Sequence, residues 1–112
     1  MKRYIGMDVH KRFIEVCILD AAGKVLYRGQ VACEKGALED FGRTKLQKTD
    51  QVALEATGNT WAVVTLVQPF VERIVVSNPL KTKAIAEAKV KTDKVDALVL
   101  PQLLRCDYLP MV

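Results

Sequence analysis

Three β-prone segments, Tyr4 to Val9, Phe13 to Leu19 and Val25 to Val31, crowd into the start of the chain with only short polar connections between them. Parallel neighbours need a crossover of about a dozen residues or more, so segments this close can pair in sequence only as an antiparallel meander. His10-Lys11-Arg12 makes the first hairpin connection and Ala21-Ala22-Gly23 the second turn. Within the third segment Val25, Tyr27, Gly29 and Val31 share one face.

Beyond Glu34 the apolar period lengthens. Leu38, Phe41 and Leu46 fall near helical spacing, with Glu39 and Asp40 early and Arg43, Lys45 and Lys48 late, a charge order that suits the helix dipole. Gly42 weakens that helix. Val52 to Glu55 reads as a short strand, Thr57-Gly58-Asn59 as a turn with capping residues, and Trp61 to Phe70 as a buried helix ended near Pro69, with Trp61 filling the core. Arg73 to Val76 is a further strand, and Asn78-Pro79 turns the chain into a helical region from Leu80 to Arg105. That region breaks at Lys91-Thr92-Asp93 and is kinked or shortened by Pro101. The order β-β-β-α-β-α-β-α predicts an α/β fold with a mixed sheet and helices on both faces.

Half of the 112 residues are apolar, which suits one compact domain over residues 1–112 and excludes disorder. The longest nearly unbroken apolar stretch, Trp61 to Val67, is far short of the roughly 20 residues a membrane span needs, so no membrane partner is expected. No secretory apolar core follows Met1-Lys2-Arg3, and a cytoplasmic location is expected. Cys17, Cys33 and Cys106 have neither disulfide-framework nor zinc spacing, and Cys17 is expected to pack as a small apolar residue. A net charge of +4 favours polyanionic partners without proving one.

The chemistry lies in the acids. Asp8 sits late in the first strand, where an acid is disfavoured and needs a cation or solvent. Glu55 ends the fourth strand, where a central strand delivers side chains to a crevice. Asp93 and Asp96 are three apart on a helical segment and share a face. If the topology brings all four together, they cannot stay ionised uncompensated, and hard oxygen donors without His or Cys partners suit Mg²⁺ or Mn²⁺. Two ions about 3.5 to 4 Å apart suit phosphoryl transfer. Each acid also has a plainer reading: Asp8 as a solvated acid at a sheet edge, Glu55 bonded to the following turn, Asp93 as a helix cap, and Asp96 paired with Lys91 or Lys94.

Lys81, Lys83, Lys89, Lys91 and Lys94 form a basic stripe that suits phosphate contacts or, equally, a solvated helix face. Lys11 and Arg12, with His10, add to that surface in the first hairpin. Ser77, Thr57 and Thr92 are the hydroxyls nearest these segments, and no His and Asp stand at a spacing that would activate one as a nucleophile. Leu98, Leu100, Leu103 and Leu104 form an apolar surface that packs internally or against another domain or subunit.

Four stretches carry a family resemblance: Tyr4-Ile5-Gly6-Met7-Asp8-Val9-His10-Lys11, Leu54-Glu55-Ala56-Thr57-Gly58, Val76-Ser77-Asn78-Pro79 and Lys91-Thr92-Asp93-Lys94-Val95-Asp96-Ala97. In order and spacing the chain resembles the RuvC-like DEDD transposases of insertion sequences, a group that includes the Piv-type DNA invertases. The resemblance implies a ribonuclease H-like fold, with Asp8, Glu55, Asp93 and Asp96 as catalytic metal ligands for Mg²⁺ or Mn²⁺, two ions in all. It implies cutting and rejoining of mobile-element and target DNA, a structured guide RNA as partner, and a homo-oligomer in the full-length protein. It also implies that this chain is the N-terminal domain, ending before a C-terminal transposase domain that carries a serine nucleophile. Lys11, Lys81, Lys83, Lys91 and Lys94 are the candidate nucleic-acid contacts. The competing expectations are a noncatalytic module binding guide RNA or DNA, and half of an actin-like or sugar-kinase fold. That last fold wants hairpin glycines beside phosphate, which Val9-His10-Lys11 lacks.

Overall fold

A computed structural model describes residues 2–55, 60–78, 83–85, 97 and 99–106. The elements run β1 (Tyr4–Val9), β2 (Phe13–Leu19), β3 (Val25–Ala32), α1 (Lys35–Lys45), β4 (Gln51–Glu55), α2 (Thr60–Val67), a 3₁₀ turn (Gln68–Phe70), β5 (Arg73–Ser77) and α3 (Val99–Arg105). Five strands make one sheet in the order β3-β2-β1-β4-β5. The opening meander is antiparallel as expected, whereas β1–β4 and β4–β5 are parallel. Asp8 therefore stands on the middle strand, which removes the sheet-edge alternative for it.

The two-residue alternation of each strand divides the sheet between two helical layers. Ile5 and Met7 of β1, Ile14, Val16 and Ile18 of β2, and Val52 and Leu54 of β4 face one side and bury against Leu38 and Phe41 of α1 and Val63 and Val67 of α2. The opposite face carries Ala53 and Val75, which pack with Tyr4 on Leu100 and Leu104 of α3. Cys17 and Leu19 join Ala97 on that same side, so Cys17 is core, and none of the three cysteines is disulfide-bonded. Gly6 sits where the chain crosses this face. A Cβ there would overlap the Ala97 carbonyl oxygen and the Pro101 ring, so only glycine admits so close an approach.

Turn chemistry accounts for the register. The β2–β3 turn closes through Asp20, whose Oδ1 accepts from the backbone N–H groups of Ala22 and Lys24 at 2.9 Å. Gly23 completes the turn at φ 91°, a conformation that L side chains resist. Gly42 is tolerated in α1 because Phe70 occupies the space beside it, an example of packing overriding propensity.

Three sequence expectations need correction. Trp61 is 60% exposed rather than core, because α2 is phased by Val63 and Val67, and Trp61 shares the outer face with Thr65. Pro101 does not break α3: it lies in the first turn, where its missing N–H costs nothing, and it is buried. Helix α1 ends at Lys45, with Leu46 extended, so Lys48 lies beyond it and donates instead to the Pro69 carbonyl at 2.8 Å. Leu100, Leu103 and Leu104 pack internally. The Thr57-Gly58-Asn59 turn, the Lys91-Thr92-Asp93 break, Pro79 and Leu98 lie outside the described residues. No helix among the described residues is long and apolar enough to cross a membrane.

One polar cluster ties the start of the sheet to α1. Asp50 is fully buried just before β4, and Arg3 grips it with two hydrogen bonds, Nε to Oδ1 at 2.9 Å and Nη2 to Oδ2 at 2.8 Å. The Gln47 N–H also donates to Oδ2 at 2.8 Å, and Arg3 Nη2 reaches the Lys45 carbonyl at 2.8 Å.

Candidate functional site

Both described acids of the quartet emerge at the carboxyl ends of adjacent parallel strands. Pairing of β1 with β4 runs from Tyr4 opposite Gln51 to Met7 opposite Leu54, and Asp8 and Glu55 each come one position later. Alternation puts both on the face covered further back by α3, Asp8 with Gly6 and Glu55 with Ala53. Asp8 thus stands about 7 Å along the strand from the helix crossing at Gly6, and its side chain keeps 32% exposure. The carboxyl ends of parallel strands are where open α/β sheets place ligands.

The two carboxylates feel one another. Burial first, and then the negative charge of Asp8, push the Glu55 carboxyl above the ordinary glutamate range. The unfolded chain gives up this proton at lower pH than the folded protein does. The stability tied to it is therefore full below the ordinary value and falls as pH rises from there through the raised one. Glu55→Gln is expected to melt above the parent at neutral pH, with the gap closing as pH drops below the ordinary glutamate value. Thermal melts across that range check it, and a Glu55→Gln protein no more stable than the parent at any pH would show the carboxyl to be unstrained.

Two further ligand-type groups flank Asp8. Glu15 is its cross-strand partner on β2, and His10 Nε2 lies 3.0 Å from Asp8 Oδ2. One ligand atom from each of Asp8, His10 and Glu15 lies within 4.8 Å of the others. The His10 ring is held by stacking on Phe13, with centroids 4.5 Å apart, and its backbone N–H donates to the Phe13 carbonyl at 2.9 Å. Outward from Glu15 a shallow recess of about 300 Å³ is lined by Arg28, Gly29 and Gln30. On the other side, toward the β5 edge, the register partner of Glu55 is Ser77. The same face thus presents, in sheet order, Gln30, Glu15, Asp8, Glu55 and Ser77.

Of the site residues expected from the sequence, Asp8 and Glu55 are brought together, and Lys11 and Lys83 are exposed. Asp93, Asp96, Lys81, Lys91 and Lys94 lie outside the described residues. Sequence reasoning misses Glu15, Arg28 and Gln30. The hairpin holds the signal, because the four residues His10 to Phe13 between the paired Val9 and Ile14 set Glu15 opposite Asp8.

A divalent ion fits this donor set. The ligand atoms within 4.8 Å of one another are those of Asp8, Glu15 and His10, two hard carboxylates and an imidazole rather than the His-free oxygen set expected from the sequence, and Ser77 Oγ, on the strand next to Glu55, is buried without a hydrogen-bond partner.

The sequence model of the IS110-type DEDD family, described as Transposase, matches residues 5–111. Among solved structures, the crystal structure of the ethanolamine utilization protein EutJ from Carboxydothermus hydrogenoformans is similar over 75% of this chain, at 14% identity and a TM-score of 0.45. The chain spans 39% of that protein's length. No curated protein matches the chain.

Proposed function

The chain belongs to the IS110-type DEDD transposase family, and on that premise we propose that it is the catalytic domain of a DNA transposase, a ribonuclease H-like unit whose carboxylates hold divalent metal for strand cleavage and transfer. The observation that carries this is the placement of Asp8 and Glu55 at adjacent strand ends, where burial and then the charge of Asp8 raise the Glu55 carboxyl.

Asp8 and Glu55 hold the ion together with Asp93 and Asp96. Asp96 is joined directly to Ala97, whose carbonyl lies over Gly6, two positions before Asp8. Bound Mg²⁺ or Mn²⁺, two ions in the full site, supplies Lewis-acid stabilisation of charge on the oxygens of a phosphodiester. The rest falls to the chain's own groups. His10 holds Asp8 from the hairpin side, its Nε2 3.0 Å from Asp8 Oδ2, and Glu15 faces Asp8 across the strands as a further oxygen donor. Lys11, Lys83 and Arg28, with Lys81, Lys91 and Lys94, bind backbone phosphates and set register without reading sequence. The substrates are then mobile-element and target DNA, with a structured guide RNA as partner and a homo-oligomer as the assembly.

The test is a Mn²⁺ titration followed by residue-resolved paramagnetic broadening in the parent and in Asp8→Asn. The parent is expected to broaden around Asp8, Glu55, Asp93 and Asp96, and Asp8→Asn to lose that pattern while keeping its fold. Equal binding by the variant would rule the site out. Absence of broadening in a parent that still binds oligonucleotide would leave a noncatalytic nucleic-acid module.

A further inference from the structure

Ser77 is the last residue of β5 and the register partner of Glu55. Val75, two residues earlier, packs with Ala53, Leu100 and Leu104, so alternation places Ser77 on the face that carries Glu55 and Asp8. Its side chain is fully buried, and its Oγ has no hydrogen-bond partner. That is an expensive choice for a strand position, because a buried hydroxyl forfeits its bonds to water and alanine or valine would forfeit nothing. The other buried polar atom without a partner among the described residues, Arg105 Nε, belongs to a guanidinium that still reaches Gln102 through Nη2 at 3.4 Å. Ser77 has no second polar atom to compensate.

Neighbouring strands run about 4.8 Å apart, so Glu55 and this hydroxyl are adjacent side chains on one face. Ligating carboxylates in metal sites are themselves held by hydrogen bonds from the surrounding protein. Building on the metal-site reading above, we infer that Ser77 is a positioning residue for the loaded site. Its hydroxyl, unpartnered in the apo protein, donates to the Glu55 carboxylate once a divalent cation is bound, and fixes the carboxylate toward the ion.

The test compares the parent with Ser77→Ala, Ser77→Cys and Asp8→Asn, reading thermal stability without metal and affinity for Mn²⁺ alone. Ser77→Ala is expected to melt at or above the parent without metal, since it deletes an unpaired group, yet to bind Mn²⁺ about 10-fold or more weakly. Ser77→Cys, a near-isostere with a weaker donor, falls between the two in affinity and carries the test if the alanine variant does not fold. Unchanged Mn²⁺ affinity in the Ser77 variants, with Asp8→Asn still defective, overturns the role of Ser77 and leaves the metal site standing. Ser77→Ala melting below the parent without metal also overturns it, because the hydroxyl would then be bonded in the apo fold. A parent that binds no Mn²⁺, or an Asp8→Asn protein that binds as the parent does, defeats the metal site and this inference together.

Discussion

Asp50→Ala is expected to remove about 3 to 5 kcal/mol of folding stability, a large part of the roughly 5 to 15 kcal/mol available to a domain. Asp50 is fully buried, and the Arg3 side chain is only 15% exposed. Their two hydrogen bonds form a fork, which is the strongest geometry open to a carboxylate and a guanidinium. Truncating the acid leaves the guanidinium half of the pair with the Lys45 carbonyl as its remaining described partner, and it also strips the Gln47 N–H of its acceptor. Removing both charges is a different experiment. Arg3→Met with Asp50→Leu deletes the need for pairing and should recover much of the loss, because buried ion pairs are often replaceable by apolar residues of similar volume. Urea denaturation gives both values, and a loss below about 1 kcal/mol for Asp50→Ala would place the pair among ordinary surface contacts.

Gly6→Ala is expected to be nearly as damaging and to reach the site as well. The added methyl would overlap a backbone carbonyl, that of Ala97, and the Pro101 ring, neither of which can rotate away. Overpacking a core usually costs about 1 to 3 kcal/mol, and here relief requires lifting α3 from Tyr4, Ala53 and Val75. Ala97 follows Asp96 directly in the chain, so lifting it also shifts the segment that carries the last two acids. The expected result is a lower denaturation midpoint together with weaker Mn²⁺ binding. A Gly6→Ala protein with the parent's midpoint would mean that the chain crosses this face at a greater distance than described.

The sheet was legible because local rules governed it. Short polar connections forced the meander, and β1 and β2 have the bounds that their apolar runs dictate. Asp8 and Glu55 were legible for a related reason, since acids placed late in apolar strands conflict with local preference and so call for a function. Trp61 was not. Eight largely apolar residues offer several helical phases, and the sheet selected the one that buries Val63 and Val67 and leaves the indole outside. Gly42 reads as a weak point of its helix and Pro101 as a kink or early stop, and each is the fit of a helix to its neighbour, Gly42 beneath Phe70 and Pro101 over Gly6.

The residues around the acids divide along the same line. Sequence by itself determined the meander and the two strand-end carboxylates, because each follows from short-range spacing and residue type, and the resemblance of its four stretches pointed to the family. Only the tertiary structure decided that β1 takes the middle of the sheet, that Glu15 and His10 close on Asp8, and that Ser77 is buried beside Glu55 with its hydroxyl unmet. Those facts depend on the pairing of strands far apart in the chain. Register across such distances is set by the packing of whole faces, which no local pattern encodes.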